Sequence, residues 1–408
     1  MSDLKKKANK FYRIEGKVQN YDWGGKSFIP NLISENIKEN TTYAEYWLGA
    51  HLKAPSKVIT NNGKISLEQF LNQNPIENLG KNVANTFGKL PYLFKVLDVS
   101  KMLSIQVHPS IEAAKIGYKK ENELGIPLTA KNRNFKDENH KPEIMVALTD
   151  FWLLHGFLEQ EKLIKNIKET PELNFLLNIF LEEGYLGLYK KVMKYTQDEV
   201  NVILKPLVGR ILPKYLNNEL DKTSPAYWSA KSLANKETKN IDKGIFSIYF
   251  FNILNLSRGE AIFQDAGVPH AYLEGVNMEL MANSDNVLRA GLTSKHIDVI
   301  ELIKNTKFEA TIPDILNGIE SKENGETVFK TKAKDFELSK IELVNSITHN
   351  SISNSVEILM LLNGSATFTQ KNESMTLVKG QSILITPNTE YKIKTNSKVE
   401  IYKASVPK

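Results

Sequence analysis

The chain has 408 residues, long enough for two or three domains, and its 53 Lys and Arg against 47 Asp and Glu give a net charge of +6. The absence of cysteine excludes disulfides, thiolate metal sites and a cysteine nucleophile, so any metal must be held by nitrogen and oxygen, and a reducing, cytoplasmic compartment is expected. Lysines are scattered among glutamates and form no basic stripe, which argues against nucleic acid and is compatible with a small anionic substrate.

The N-terminal stretch MSDLKKKANKFYRIEG has basic residues but no apolar segment behind them, and no apolar run reaches membrane-spanning length. Neither a signal peptide nor a membrane partner is expected. From about 11 to 150, short runs rich in β-branched and aromatic residues sit between Gly, Asn and Pro: SKVIT (56–60), LPYLFKVLDV (90–99), MLSIQVHPS (102–110) and PEIMVAL (142–148). They predict strands of a β core. From about 156 to 240 the spacing becomes helical. Thr196 and Glu199 make a capping box ahead of Val200, Ile203, Leu204, Leu207 and Ile211, which predicts an inserted helical domain, suited to be a lid or pocket wall.

Strands are expected to resume over 245–263 and again from about 326 to 408, where Asn363-Gly364 between apolar runs predicts a hairpin. GEAIF (259–263) and GQSIL (380–384) echo one another, and aligning Gly259 with Gly380 sets His270 on Tyr391. The tail then reads as a second copy that has lost its metal position. The expected organisation is a catalytic domain from 1–155 and 241–325, an inserted helical domain over 156–240, and a C-terminal domain over 326–408 without metal ligands.

Three clusters carry chemistry. In SIQVHPS, strand alternation puts Ser104, Gln106 and His108 on one face, opposite Ile105 and Val107. In DENHKPEIM, Pro142 favours an extended Lys141, placing Lys141 and Glu143 on one face. In PHAYLEGVNMELMANSDNVLRAGLTSKHID (269–298), His270 and Tyr272 stand at strand spacing and Glu279 lies in an apolar context. Asn283, Ser284, Asp285 and Asn286 follow, then Arg289 and Lys295, which suit an anion. Two imidazoles, His108 and His270, with the carboxylate of Glu143 suit zinc and equally a non-haem iron triad.

These motifs resemble the type I mannose-6-phosphate isomerases (phosphomannose isomerases), zinc enzymes of the cupin fold. The resemblance extends over VQNYDWGG (18–25), AEYWLGAH (44–51), LPYLFKVL (90–97), LSIQVHPS (103–110), NHKPEI (139–144), HAYLEG (270–275) and ELMANSDNVLRAGLTSKHID (279–298). It implies a mainly β fold of cupin-type β-barrels (jelly roll), a catalytic barrel plus a C-terminal barrel-like domain. It makes Gln106, His108, Glu143 and His270 the ligands of one Zn2+ and Arg289 the catalytic arginine. His140 with Lys141, or Asp285, is then the base, and Tyr272, Lys295, Glu279 and Ser104 are substrate-binding. The implied reaction interconverts mannose 6-phosphate and fructose 6-phosphate through an enediol, in a chain expected to be monomeric. Ser294, Phe135 and Arg258 depart from the family pattern without removing a ligand or a site charge.

Overall fold

The computed structural model describes residues 10–234, 239–345, 347–371 and 373–408. Strands form sheets of nine, eleven and four members, joined by helices that include Ile111–Glu123, Gln160–Glu169, Leu176–Lys194, Gln197–Leu216 and Pro225–Leu233. Alternation along Tyr92–Val99 sets the two faces of the eleven-stranded sheet. Tyr92, Phe94 and Val96 enter a core with Ile144, Val146, Met278 and Leu280, while Leu93, Lys95 and Leu97 turn to the opposite face and line a cavity. Each core side chain fully withdrawn from water contributes about 1.5–3 kcal/mol, which fixes the register and hence the cavity face.

The expected cupin-type barrels are not what the chain builds. The fold is mixed α/β, and among the described residues all three sheets are open and none closes into a barrel or jelly roll. The reason lies in the long strand His270–Ala282. Its C-terminal half pairs with Tyr92–Val99 on one side and Glu143–Ala147 on the other, and its N-terminal half with Ile105–Val107 and Phe151–Phe157. The sheet therefore branches there instead of wrapping onto itself. At the division Gly275 adopts φ 127°, and a Cβ would stand 2.6 Å from the Asp150 backbone oxygen, so only glycine fits.

The nine-stranded sheet mixes distant parts of the chain: Phe11–Glu15 pairs with both Ser382–Ile385 and Lys57–Thr60. One apolar cluster runs from Ile14 and Val58 through Tyr92 to Ile358 and Tyr402. The Tyr92 hydroxyl lies 3.3 Å from the Val356 carbonyl oxygen and 3.2 Å from that of Ala404.

Two local expectations also give way. The run 245–250 reads as strand, but Gly244–Phe250 is a helix, and the strand begins only at Phe251. All seven helical residues are buried, so the run lacks the alternation that separates strand from helix. The strands flanking Asn363-Gly364 form no hairpin. Glu357–Asn363 belongs to the nine-stranded sheet and Ser365–Gln370 to the four-stranded one, so the chain crosses between sheets at Gly364, φ 82°. The capping box is present as expected, with the Thr196 side chain accepting from the Glu199 backbone N–H. The helices bury their apolar face with Ala271, Leu273, Leu288 and Ala290. They thus brace the strands that carry His270 and Arg289 from behind, and none of their residues lines the cavity described below.

Candidate metal centre and substrate pocket

Three adjacent strands place His270, Gln106 and Arg289 in one row, because Gln106 is the register partner of both His270 and Arg289. Directly opposed residues of antiparallel strands share a face, so the three side chains point to the same side. His108 follows one residue past the short strand and is fully buried. Glu143 opens its strand opposite Met281 and Gln264.

Among the described residues, His108, Glu143 and His270 form the one group of three potential metal-ligating residues whose ligand atoms all lie within 4.8 Å of one another. His108 Nε2 stands 3.4 Å from Glu143 Oε1, and His270 Nε2 3.3 Å from Glu143 Oε2. The other ring nitrogens are spoken for: His108 Nδ1 contacts the Asn286 carbonyl oxygen at 2.9 Å and His270 Nδ1 that of Val268 at 3.0 Å. A carbonyl only accepts, so each Nδ1 carries the hydrogen and each Nε2 presents a lone pair. Both Nε2 atoms are buried without a hydrogen-bond partner. Burial, helped by the charge of Lys141 and opposed by Glu143, pushes the His108 imidazole down to about 4, which keeps it neutral. Burial works against ionised Glu143, but Lys141 and the histidines outweigh it and hold the carboxyl well below the usual range. Two imidazoles that turn Nε2 toward an ionised carboxylate are a fitting donor set for zinc.

The cavity beside this group has a volume of about 200 Å3, and its wall includes Gln106, Lys141, Glu143, His270, Tyr272, Glu279 and Asp285. Lys141 Nζ lies 2.7 Å from Glu143 Oε1, the shared face expected from Pro142. The Tyr272 hydroxyl donates to Glu279 Oε1 at 2.8 Å, and Lys95 pairs with the same carboxylate. Asp285 meets Lys53 Nζ at 2.7 Å and His51 Nε2 at 3.5 Å. Burial raises its pKa, but those two partners prevail and hold it below the carboxylate range.

Other expected site residues stand outside the cavity wall. His140 turns its Nε2 to Asp335 Oδ2 at 2.8 Å, and Ser104 lies just ahead of the strand that holds Gln106. Arg289 and Lys295 flank the site in a cationic group with Lys136 and Lys53. Burial lowers Lys136, and the charges of Lys53, Arg289 and Lys295 lower it further against Asp285. Arg289 has no acidic partner within ion-pair distance among the described residues, and burial alone lowers its pKa.

Sequence reasoning missed His51, Lys53, Lys95 and Lys136. Lys95 left a signal, being the one charge in the apolar run YLFKVL. The role of Asn286 was also hidden. Its side chain accepts from the Lys136 N–H at 2.6 Å and donates to the carbonyls of Asp137 at 2.7 Å and Asn139 at 2.8 Å. Asp137 in turn accepts from Ser284 Oγ and the Asp285 N–H, both at 2.8 Å. The loop carrying Lys141 and the loop carrying Asp285 are thereby locked together.

Comparison with known proteins agrees with this arrangement. Residues 11–160 match the family model for the phosphomannose isomerase type I catalytic domain. Mannose-6-phosphate isomerase of Escherichia coli is 37% identical over 381 residues, covering 92% of this chain and 95% of the relative, and the human protein is 32% identical over 391 residues, covering 88% of each. A crystal structure of mannose 6-phosphate isomerase from Salmonella typhimurium, bound to its substrate and a zinc atom, superposes with a TM-score of 0.86 at 32% identity, over 98% of this chain and 100% of that one. With likeness in sequence and fold extending over nearly the whole length, the chain belongs to the type I phosphomannose isomerase family.

Proposed function

We propose that the chain catalyses the reversible, zinc-dependent isomerisation of D-mannose 6-phosphate and D-fructose 6-phosphate, moving a proton between C1 and C2 through an enediol. The observation that carries this reading is the pair of buried imidazoles whose unpartnered Nε2 atoms converge on Glu143 at the wall of a polar cavity. One Zn2+ per chain is held by His108, His270 and Glu143, with Gln106 as a neutral fourth ligand. Bound there, zinc supplies Lewis-acid polarisation of the sugar oxygens.

The chain's own residues do the rest. Arg289, beside Gln106 and without an acidic partner among the described residues, meets the enediolate charge. Lys141 carries the proton, since it lines the cavity whereas His140 does not. Asp285, kept ionised by Lys53 and His51, accepts a hydrogen bond from a sugar hydroxyl. Tyr272 and Glu279 contact further hydroxyls, with Ser104 at the rim. Lys295 and Lys136 receive the phosphate; the repulsion each feels from neighbouring cations supports that role. His140, tied to Asp335, positions the segment that bears Lys141.

Catalysis is assigned to residues 1–155 with 241–325, bracing to 156–240, and no metal to 326–408. One chain supplies the whole ligand set, which supports an active monomer. Among the described residues no helix is long and apolar enough to cross a membrane, and the lack of cysteine supports a cytoplasmic location. A coupled assay tests the reading: turnover of mannose 6-phosphate should vanish with chelator and return with zinc. No turnover by zinc-loaded protein would overturn it.

A further inference from the structure

Between the nine-stranded and four-stranded sheets of the C-terminal part lies a second cavity of about 840 Å3, remote from His108 and Glu143 in its lining. Its wall contains buried charge. Glu357 and Lys403 are 4% and 8% exposed; the Tyr391 hydroxyl donates to Glu357 Oε2 at 2.8 Å, and Lys403 Nζ lies 2.6 Å from Glu326 Oε1. Burial pushes the Glu357 carboxyl above its usual range against Lys403 and Tyr391, whereas for Lys403 the two glutamates outweigh burial and raise it. Holding such charges out of water is costly to folding, so a cavity that keeps them calls for a use.

His349 adds a separate observation. It is fully buried, its Nδ1 donates to the Asn324 carbonyl at 3.0 Å, and its Nε2 has no partner. It shares a strand face with Ser351, which lines the cavity, its ring stands 6.0 Å from that of Tyr391, and the charges acting on it are those of Glu326 and Lys403. A buried ring nitrogen is thus left unused behind the cavity wall. The Tyr391–Glu357 hydrogen bond repeats that of Tyr272 on Glu279 in the first pocket, but Lys95 pairs with Glu279 itself whereas Lys403 pairs with the neighbouring Glu326. The third member of the first pocket, the metal group, has no counterpart among the described residues of the C-terminal part.

We propose that this cavity is a second carbohydrate site, binding an uncharged monosaccharide through its hydroxyls without turning it over. Carboxylates accept from sugar hydroxyls, while Lys403 donates to them. Four lysines and four glutamates line the cavity, with Lys330 on Glu337 and Lys403 on Glu326. That leaves no surplus like the group of Lys136, Arg289 and Lys295, and a phosphate is therefore not the favoured ligand. The volume falls in the range of small-molecule sites, about 300–1,000 Å3.

Saturation-transfer NMR on the zinc-loaded full chain tests this, with D-mannose as the probe and D-mannose 6-phosphate as competitor. D-Mannose should bind saturably in the millimolar range and resist displacement by the phosphorylated sugar. Glu357→Gln and Lys403→Met should each weaken binding by about tenfold, the loss of one hydrogen bond to a charged group, and leave mannose 6-phosphate turnover unchanged. Ser351→Trp, which fills the cavity from a half-buried position, should abolish the signal even if the polar variants do not fold. No saturable D-mannose binding, binding that survives Ser351→Trp, or displacement by the phosphorylated sugar would each overturn the proposal.

Discussion

His108 and Asn286 are joined by one hydrogen bond, from the imidazole Nδ1 to the backbone oxygen at 2.9 Å, and that bond decides which nitrogen faces Glu143. The carbonyl is held in place by the Asn286 side chain, buried completely and bonded to the backbone of Lys136, Asp137 and Asn139. Loss of such an outer partner costs about 10–100-fold in metal affinity. Asn286→Ala and Asp137→Ala should both weaken zinc by that factor in competition with a chromophoric chelator. Unchanged affinity in both would remove the link between these loops and the metal.

Gln106 stands in register between His270 and Arg289, so its charge state affects both. Gln106→Glu adds a negative charge of nearly the same shape. It should bind zinc more tightly while pairing with Arg289 and drawing it from the substrate. Turnover should fall by about tenfold or more, equivalent to at least ~1.4 kcal/mol of barrier. Metal content and kcat are the two readouts, and an unimpaired kcat would show that neither charge matters.

The cations around the cavity should separate by kinetic signature. Arg289→Ala removes a group that faces developing charge, and kcat should fall by about 10²–10³-fold with zinc retained. Lys136→Met removes a group assigned to the phosphate, which is present in ground and transition states alike. Its KM should rise about tenfold with kcat nearly kept. Equal effects of both variants on kcat would contradict the division of roles.

What the sequence discloses follows from how local the cause is. The grouping of His108, Glu143 and His270 was legible because strand alternation and family motifs act over a few residues, and Pro142 correctly predicted the Lys141–Glu143 face. The Thr196 capping box is local in the same sense. Sheet closure is not: whether His270–Ala282 wraps or branches depends on four partners spread from residue 92 to 157. The same distance hides the partners of Asp285, since His51 and Lys53 lie more than 230 positions away and carry no periodic signal. At Asn363-Gly364 the turn signal is real but its partner strands are chosen by burial, and the fully apolar run 358–362 is buried on both faces, Ile358, Met360 and Leu362 in one cluster and Leu359 and Leu361 in another.

His155 provides a pH test that concerns folding alone. It lies opposite His270 in register, is 5% exposed, and pairs through Nδ1 with Gln264 Oε1 at 2.7 Å. Burial pushes its pKa from 6.5 down to about 4, with the Gln264 hydrogen bond opposing the shift. The unfolded chain therefore takes up a proton near pH 6.5 that the folded chain refuses until about pH 4. Stability must fall as pH drops through this window and level off below it, by roughly 3 kcal/mol at about 1.4 kcal/mol per unit. His155→Gln has no such proton to take up. In urea unfolding of metal-free protein, the wild type should lose roughly 2–3 kcal/mol more than the variant between about pH 7 and about pH 4.5. Parallel losses in the two proteins would mean that His155 accepts its proton within the fold.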